Sequence, residues 1–265
     1  MITPLCILTI AGSDSGGGAG IQADQRTIRA IGGHALTAVT AVTAQDTRGI
    51  AAWHPVADSL IAAQMASALR GFPVSAVKTG LLPGPGAVRA VCRALARVPS
   101  VPLVVDPVLS SSSGTVFLSG AGLRTLRDRL LPMASLVTPN WPEAAALAGV
   151  AVGTHGQAER AALLLSDRIG RPVLVKGGHG RGRRCRDCLA TPDGAVSWFE
   201  NPRIKTVNTH GTGCVLSAAI AAWLGRGADT ASAVRLARSF LQRALASGSA
   251  LDWGSGHGPA FAGSR

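Results

Sequence analysis

The chain has 265 residues, 47% of them apolar and 15% charged, with a formal net charge of +12; this supplies a sizeable core and excludes a disordered polypeptide. Its longest apolar runs, such as VLSAAIAAWL, fall short of the roughly 20 residues that span a bilayer, and the N-terminus carries no basic leader, so a soluble cytoplasmic protein is expected. The positive charge is scattered, aromatics are only 4% and tyrosine is absent, which argues against nucleic acid and for an arginine-rich surface suited to small anionic ligands.

Short apolar runs alternate along the chain with longer helical patterns. A first strand is expected at 5–11 and a first helix at 21–31, joined by the loop GSDSGGGAG at 12–20. This loop fits neither usual nucleotide-loop pattern; its glycines either bring backbone close to a flat ligand or form a tight turn. A second strand at 35–42 leads to Gln45. The glutamine amide offers one acceptor and two donors in a plane, which suits the edge of an amino-heterocycle and equally a surface loop. A helix at 59–69 precedes a strand at 74–78 that ends in Lys78-Thr79-Gly80. After a helix at 87–96, the strand at 103–106 ends on Asp106, a carboxylate that is costly there unless paired or beside a metal.

A helix at 120–130 and a strand at 136–138 lead to TPNWPE. Asn140 suits a helix cap with Pro142 in the first turn, while Asn140 and Glu143 are also oxygen donors that hydrated Mg2+ accepts. A helix at 157–169 and a strand at 173–176 end on Lys176-Gly177-Gly178-His179, which either neutralises phosphate or closes a strand before a turn. Residues 177–200, rich in glycine and arginine, read as a flap or hairpin, and their RGRRCR cluster either closes over phosphates or stays solvated. A strand at 204–207 and helices at 212–225 and 229–246 complete the pattern, with 253–265 expected to be loosely held. Three lysines stand against 23 arginines, and Lys78 and Lys176 both fall at strand ends. Five cysteines without paired spacing exclude a disulfide framework, and Cys185 with Cys188 makes only half a zinc site.

The alternation predicts an α/β fold with a parallel sheet covered on both faces. Ligands collect at the carboxyl ends of such strands, and seven polar motifs fall there in succession. The last is the most informative. Gly211 and Gly213 stand at a helix N-terminus, where unpaired N–H groups and the helix dipole favour an anion. Cys214 shares that turn, a position expected to lower a thiol pKa from its reference of about 8.5.

Taken in order, TIAGSDSGGGAGIQAD (9–24), AVTAQDT (41–47), KTG (78–80), DPV (106–108), TPNWPEA (138–144), VKGGH (175–179) and NTHGTGCVLSAAIAA (208–222) resemble the hydroxymethylpyrimidine/phosphomethylpyrimidine kinases of thiamine biosynthesis. The resemblance runs across about residues 5–245. It implies a ribokinase-like three-layer α/β/α sandwich over 1–265, with a mostly parallel central sheet, usually as a homodimer. It implies a phosphotransferase using ATP and Mg2+ on 4-amino-5-hydroxymethyl-2-methylpyrimidine and then on its monophosphate, giving the diphosphate.

On that resemblance Gln45 and Asp24 face the aminopyrimidine, with Gly12, Ala19, Leu81, Val108 and His210 around it. Asp106, Asn140 and Glu143 fall around Mg2+, directly or through water, and the phosphates, which Lys176 and Thr212 also reach. Gly211, Gly213 and Lys176 form the anion site, and Cys214 matches the proposed catalytic cysteine. Three departures stand out. The family often has methionine at the position of Leu81; it commonly carries a lysine shortly after DPV, where this chain has LSSSSG at 109–114; and RGRRCRDC is more basic than the family's flap. The alternatives are a pyridoxal/pyridoxine kinase and a non-catalytic phosphate- or nucleotide-sensing relative.

Overall fold

The computed structural model describes residues 3–111 and 114–260. The expectations for residues 112–113 of the serine loop and 261–265 of the tail lie outside the described residues. Six parallel strands form the centre of one sheet: β1 (Cys6–Asp14), β2 (His34–Gln45), β4 (Val74–Thr79), β5 (Leu103–Val105), β6 (Leu136–Val137) and β7 (Val173–Val175). Antiparallel β3 (Ile50–Pro55) flanks β2 at one edge, and the hairpin β8 (Arg184–Ala190) and β9 (Val196–Pro202) extends the other. The strand order is β3-β2-β1-β4-β5-β6-β7-β8-β9.

Successive strand side chains point to opposite faces, and the apolar runs supply both. Cys6, Leu8 and Ile10 join Val77, Val105 and Val137 on one face. That face is covered by α2 (Asp58–Gly71), α3 (Gly84–Leu95), α4 (Gly120–Thr125), α5 (Trp141–Ala148) and α6 (His155–Ile169). Ile7, Ala76, Val104, Leu136 and Leu174 point the other way, under α1 (Gly20–Ala30), α7 (Thr212–Gly225) and α8 (Thr230–Gly248). This is the expected three-layer α/β/α arrangement. Helix α7 is apolar nearly all round because it lies between α1 and α8 on the centre of the sheet, where its alanines permit close approach.

The strand expected at 204–207 does not form. β9 ends at Pro202, one backbone bond follows it from the Arg203 N–H to the Arg183 carbonyl, and Val207 is 63% exposed beyond it. The strands come instead from within 177–200 and just past it, where the expected hairpin joins the sheet. β3 was not expected, since an edge strand with four of six residues exposed lacks an alternating apolar signal. The helix expected at 120–130 changes to a π-turn over Leu126–Leu130 and a 3₁₀ turn over Leu131–Met133 that carries Pro132. The segment near 255–260, read as loosely held, is tied down by backbone: His257 donates to Thr47, and Ala260 donates to His210. No helix among the described residues is long and apolar enough to cross a membrane.

A buried ion pair fixes the hairpin to α8. Asp187 on β8 accepts from the Gly177 N–H at 2.7 Å and from Arg238 on α8, which also donates to the Cys185 carbonyl at 3.1 Å. Removing the cation leaves a buried carboxylate unpaired, which is strongly destabilising. Arg238→Met is therefore expected to lower unfolding free energy by about 3–5 kcal/mol, read from urea melts; a loss below about 1 kcal/mol would contradict the pair's structural role.

Candidate active site

The carboxyl ends of the parallel strands open into one cleft of about 1070 Å³. Its wall includes Gly12 and Ala19 from the first loop, Gln45 after β2, Leu81 after β4, and Asp106 and Val108 after β5. Asn140 and Glu143 enter from α5, Lys176 from β7, and His210, Gly211, Thr212, Gly213 and Cys214 from the start of α7. Of the residues expected at the site, Asp24 alone is absent from the wall.

At one end the charges interlock. Lys176 Nζ lies 2.6 Å from Asp106 Oδ1 and 3.9 Å from Glu143 Oε2. Asp106 also accepts from the Ser217 hydroxyl at 3.1 Å and the Thr138 hydroxyl at 3.4 Å. Burial alone would raise the Asp106 carboxyl, but Lys176 and Lys78 outweigh it and hold the group below the usual carboxylate range. For Glu143 burial prevails over Lys176, with Asp106 adding to it, and the carboxyl rises to about 7.

Asn140 and Glu143 form a capping box: Asn140 Oδ1 accepts from the Glu143 N–H at 2.9 Å, and Glu143 Oε2 accepts from the Asn140 N–H at 2.7 Å. The local sequence thus positions Glu143 through ordinary helix-end chemistry. Among the described residues, no three His, Cys, Asp or Glu side chains gather into a metal site, and the capping box engages Glu143 through Oε2 rather than Oε1. This donor set suits an ion that arrives on phosphates and retains waters, as Mg2+ does.

Helix α7 begins directly over the Lys176–Asp106 pair. A Cβ placed on Gly213 would lie 3.3 Å from Lys176 Nζ and 3.6 Å from Asp106 Oδ2. Gly211 has φ +75°, and a Cβ there would collide with the Gly18 carbonyl of the first loop. The first-turn N–H groups and the lysine therefore face the same part of the cleft.

Cys214 is half-buried, with the Gly20 N–H at the start of α1 close enough to its sulfur to favour the thiolate. Two helix N-termini converge on it, yet the expected lowering of its pKa does not occur. Burial pushes the thiol up to about 11, with Asp24 and Asp106 adding to the effect and Lys78 opposing it. Asp24 is fully buried below the wall, where Lys78 Nζ reaches its two oxygens at 2.8 and 3.0 Å and the Thr9 hydroxyl donates to it. Lys78 itself lines the cleft, a site position that sequence reasoning missed. Its signal was the scarcity of lysine and its place in KTG.

At the opposite end, Leu81 packs with Ala41 and Phe117, with Val108 and Trp53 beside them. The Gln45 amide lies 3.0 Å from His210 Nε2, which is 3.0 Å from Asp14 Oδ2. The far wall carries Arg203, Leu241, Gln242 and Leu245 from β9's exit and α8, unmarked in the sequence because α8 reads as an ordinary amphipathic helix. The basic cluster takes another course. Arg184 and Arg186 pair with Glu200 across the hairpin, and neither lines the cleft. Cys185 and Cys188 are free thiols.

Comparison with known proteins agrees with this geometry. The family model described as phosphomethylpyrimidine kinase matches residues 14–261. The hydroxymethylpyrimidine/phosphomethylpyrimidine kinase of Escherichia coli is 42% identical over 257 residues, covering 95% of both chains. That of Haemophilus influenzae is 40% identical over 256 residues, covering 96% of this chain and 94% of its own. Among solved structures, the ADP complex of Bacillus subtilis pyridoxal kinase aligns with a TM-score of 0.87 at 31% identity, over 97% of this chain and 96% of that one. The phosphomethylpyrimidine kinase of Clostridium difficile aligns with a TM-score of 0.79 at 33% identity, over 91% and 99%. The chain belongs to the phosphomethylpyrimidine kinase family.

Proposed function

We propose that this chain transfers the γ-phosphoryl group of ATP to 4-amino-5-hydroxymethyl-2-methylpyrimidine, and then to the monophosphate, producing the diphosphate for thiamine biosynthesis. The observation that carries this reading is the pairing, in one cleft, of a helix N-terminus over Lys176 and Asp106 with a planar amide beside an apolar slot. The first end suits phosphates, and the second suits a small amino-heterocycle.

Phosphoryl transfer asks a protein chiefly for position and charge neutralisation. Lys176 and the first-turn N–H groups of α7 hold the transferring phosphate while charge develops. Glu143 through Oε1, and Asp106 and Asn140 through water, are the residues that would hold Mg2+, which when bound neutralises phosphate charge. Gln45 binds the pyrimidine edge, and Leu81 and Val108 pack against its ring. Asp24 acts from behind the wall by holding Lys78 in place.

The two acceptors make different demands on Cys214. An alcohol benefits from a base as it attacks, whereas a phosphomonoester with its second pKa near 6 already presents a charged oxygen. With the thiol at about 11, the free protein carries Cys214 protonated at neutral pH, and the thiolate fraction rises tenfold per pH unit below that value. Cys214 therefore serves the first phosphorylation as a strong base present in small amount. Both steps use the same anion site.

We assign the active form as a cytoplasmic homodimer. Val42 is 54% exposed, with Ala44 and Ala52 exposed beside it and His54 opposite it, which gives the β2–β3 edge a largely uncharged outer face suited to a second copy. Pyridoxal is the natural comparison substrate, because pyridoxal kinases share this backbone.

Two measurements test these assignments. ADP release by the purified chain is expected with the pyrimidine and with its monophosphate, each exceeding the rate with pyridoxal by at least about tenfold, the scale set by one well-placed polar contact. Faster turnover of pyridoxal would reverse the substrate assignment, and no substrate-dependent ADP would make the chain a non-catalytic relative. At saturating Mg·ATP, kcat/KM for the alcohol is expected to climb from pH 8 to 10, above the Glu143 titration and below that of the thiol, and Cys214→Ala to abolish that climb. A profile for the alcohol that is flat, or unchanged by the substitution, would remove Cys214 as the base.

A further inference from the structure

Asp14 closes β1 and is 3% exposed. Its Oδ1 accepts from the Gly16 N–H at 2.8 Å, and its Oδ2 accepts from the Ala19 N–H at 2.7 Å and lies 3.0 Å from His210 Nε2. Burial would raise this carboxyl, but the His210 ring and the two backbone N–H groups outweigh it, so the group is an ionised acceptor. The His210 ring is clamped. A Cβ on Gly18 would collide with it, and the His210 backbone N–H and carbonyl are both bound, to Gly258 and Ala260.

The Gln45 carboxamide places one terminal atom 3.0 Å from the same His210 Nε2 and the other 3.3 Å from the Thr43 hydroxyl. Oxygen and nitrogen of an amide are told apart by their partners. An imidazole nitrogen facing a carboxylate carries a hydrogen, and a nitrogen that carries one has no lone pair left in the ring plane. With the Gln45 nitrogen on the His210 side, two donors would face each other. With oxygen there, the single Nε2–H is shared between Asp14 Oδ2 and the Gln45 oxygen, and the Gln45 NH2 falls on Thr43 Oγ1. The Thr43 hydroxyl in turn donates to the Ser13 carbonyl at 3.0 Å, leaving its oxygen free to accept. Only the second arrangement pairs every donor with an acceptor.

We infer that Asp14 and His210 are positioning residues that hold the Gln45 amide with its oxygen toward His210 and its NH2 toward Thr43. They thereby set the donor–acceptor order that the cleft offers its substrate. The amide keeps one oxygen lone pair and one N–H for the ligand. A 4-aminopyrimidine matches with its amino group on the His210 side and its ring nitrogen on the Thr43 side. A 4-oxo pyrimidine presents the reverse order, an acceptor followed by a ring N–H, and is disfavoured because His210 opposes the turn of the amide that it needs. The ligand half of this inference rests on the reading that Gln45 meets the pyrimidine; the orientation of the amide does not.

The test therefore has two arms. Long-range 1H–15N correlation on the full chain with 15N-labelled histidine is expected to show a hydrogen on His210 Nε2, with the signals identified by their loss in His210→Phe. A bare Nε2 would overturn the inference, whatever the chain's substrate proves to be. In the kinetic arm, His210→Phe keeps a flat ring against Gly18 and removes the N–H. It is expected to raise KM for the aminopyrimidine about tenfold, to leave KM for ATP within about twofold, and to narrow the preference over the 4-oxo analogue about tenfold. An unchanged preference would overturn the inference, because a purely structural role lowers turnover of both analogues together. If the Phe variant does not fold, through-space contacts between the His210 ring and the Gly18 protons assign the signals on the unsubstituted chain, and that measurement decides.

Discussion

The Lys176–Asp106 pair is the constraint around which the cleft is organised. Two opposite charges at the ends of buried strands cannot stand alone in a medium that solvates them poorly. β5 and β7 are separated only by β6, so the two side chains meet across it at 2.6 Å. The Thr138 and Ser217 hydroxyls take up the remaining carboxylate lone pairs, and the first turn of α7 settles on top because Gly213 has no side chain to keep it away. A neutralised pair beneath a helix N-terminus remains net attractive to an anion. That is why the residues that close the core are also the ones suited to receiving phosphate.

The same economy governs the other end. The loop after β1 and the loop before α7 touch backbone to backbone at Gly18 and Gly211, and His210 is held in the contact. The segment near 255–260 fastens the loop after β2 and the loop before α7 by hydrogen bonds to Thr47 and His210. Gln45 is consequently fixed by three separate stretches of chain, which suits a group that must discriminate one heterocycle edge from another. Cys214 lies between the two ends, with its sulfur on the α1 N-terminus, within reach of the fields of Lys78, Asp24 and Asp106.

How far the sequence disclosed this depends on which physical signal each feature leaves. The central strands were legible because both of their faces are apolar, and most helices because their buried faces recur at helical spacing. Gly211 and Gly213 were legible as the start of a helix on the cleft because a helix start needs nothing beyond local sequence to expose N–H groups. The edge strand β3 was not expected, and β8 and β9 were legible only as a flap or hairpin without a place in the sheet, since they are partly exposed and their pairing comes from neighbours. Asp24 was expected on the wall, but its ion pair with Lys78 holds it below; nothing local to either residue announces a partner 54 positions away. The Cys214 thiol illustrates the same limit. Its helix position is a local fact that lowers pKa, whereas burial and two distant carboxylates that raise it appear only on folding.

The central claim is that one cleft with one anion site serves two successive acceptors, an alcohol and then its own phosphate ester. A rapid-quench time course tests it most directly, with ATP in excess, the pyrimidine alcohol limiting, and all three pyrimidine species resolved. The account predicts that the monophosphate rises and then declines into the diphosphate, with one ADP formed at each step. A course that ends at the monophosphate, or a diphosphate that forms together with AMP and without the intermediate, would contradict it.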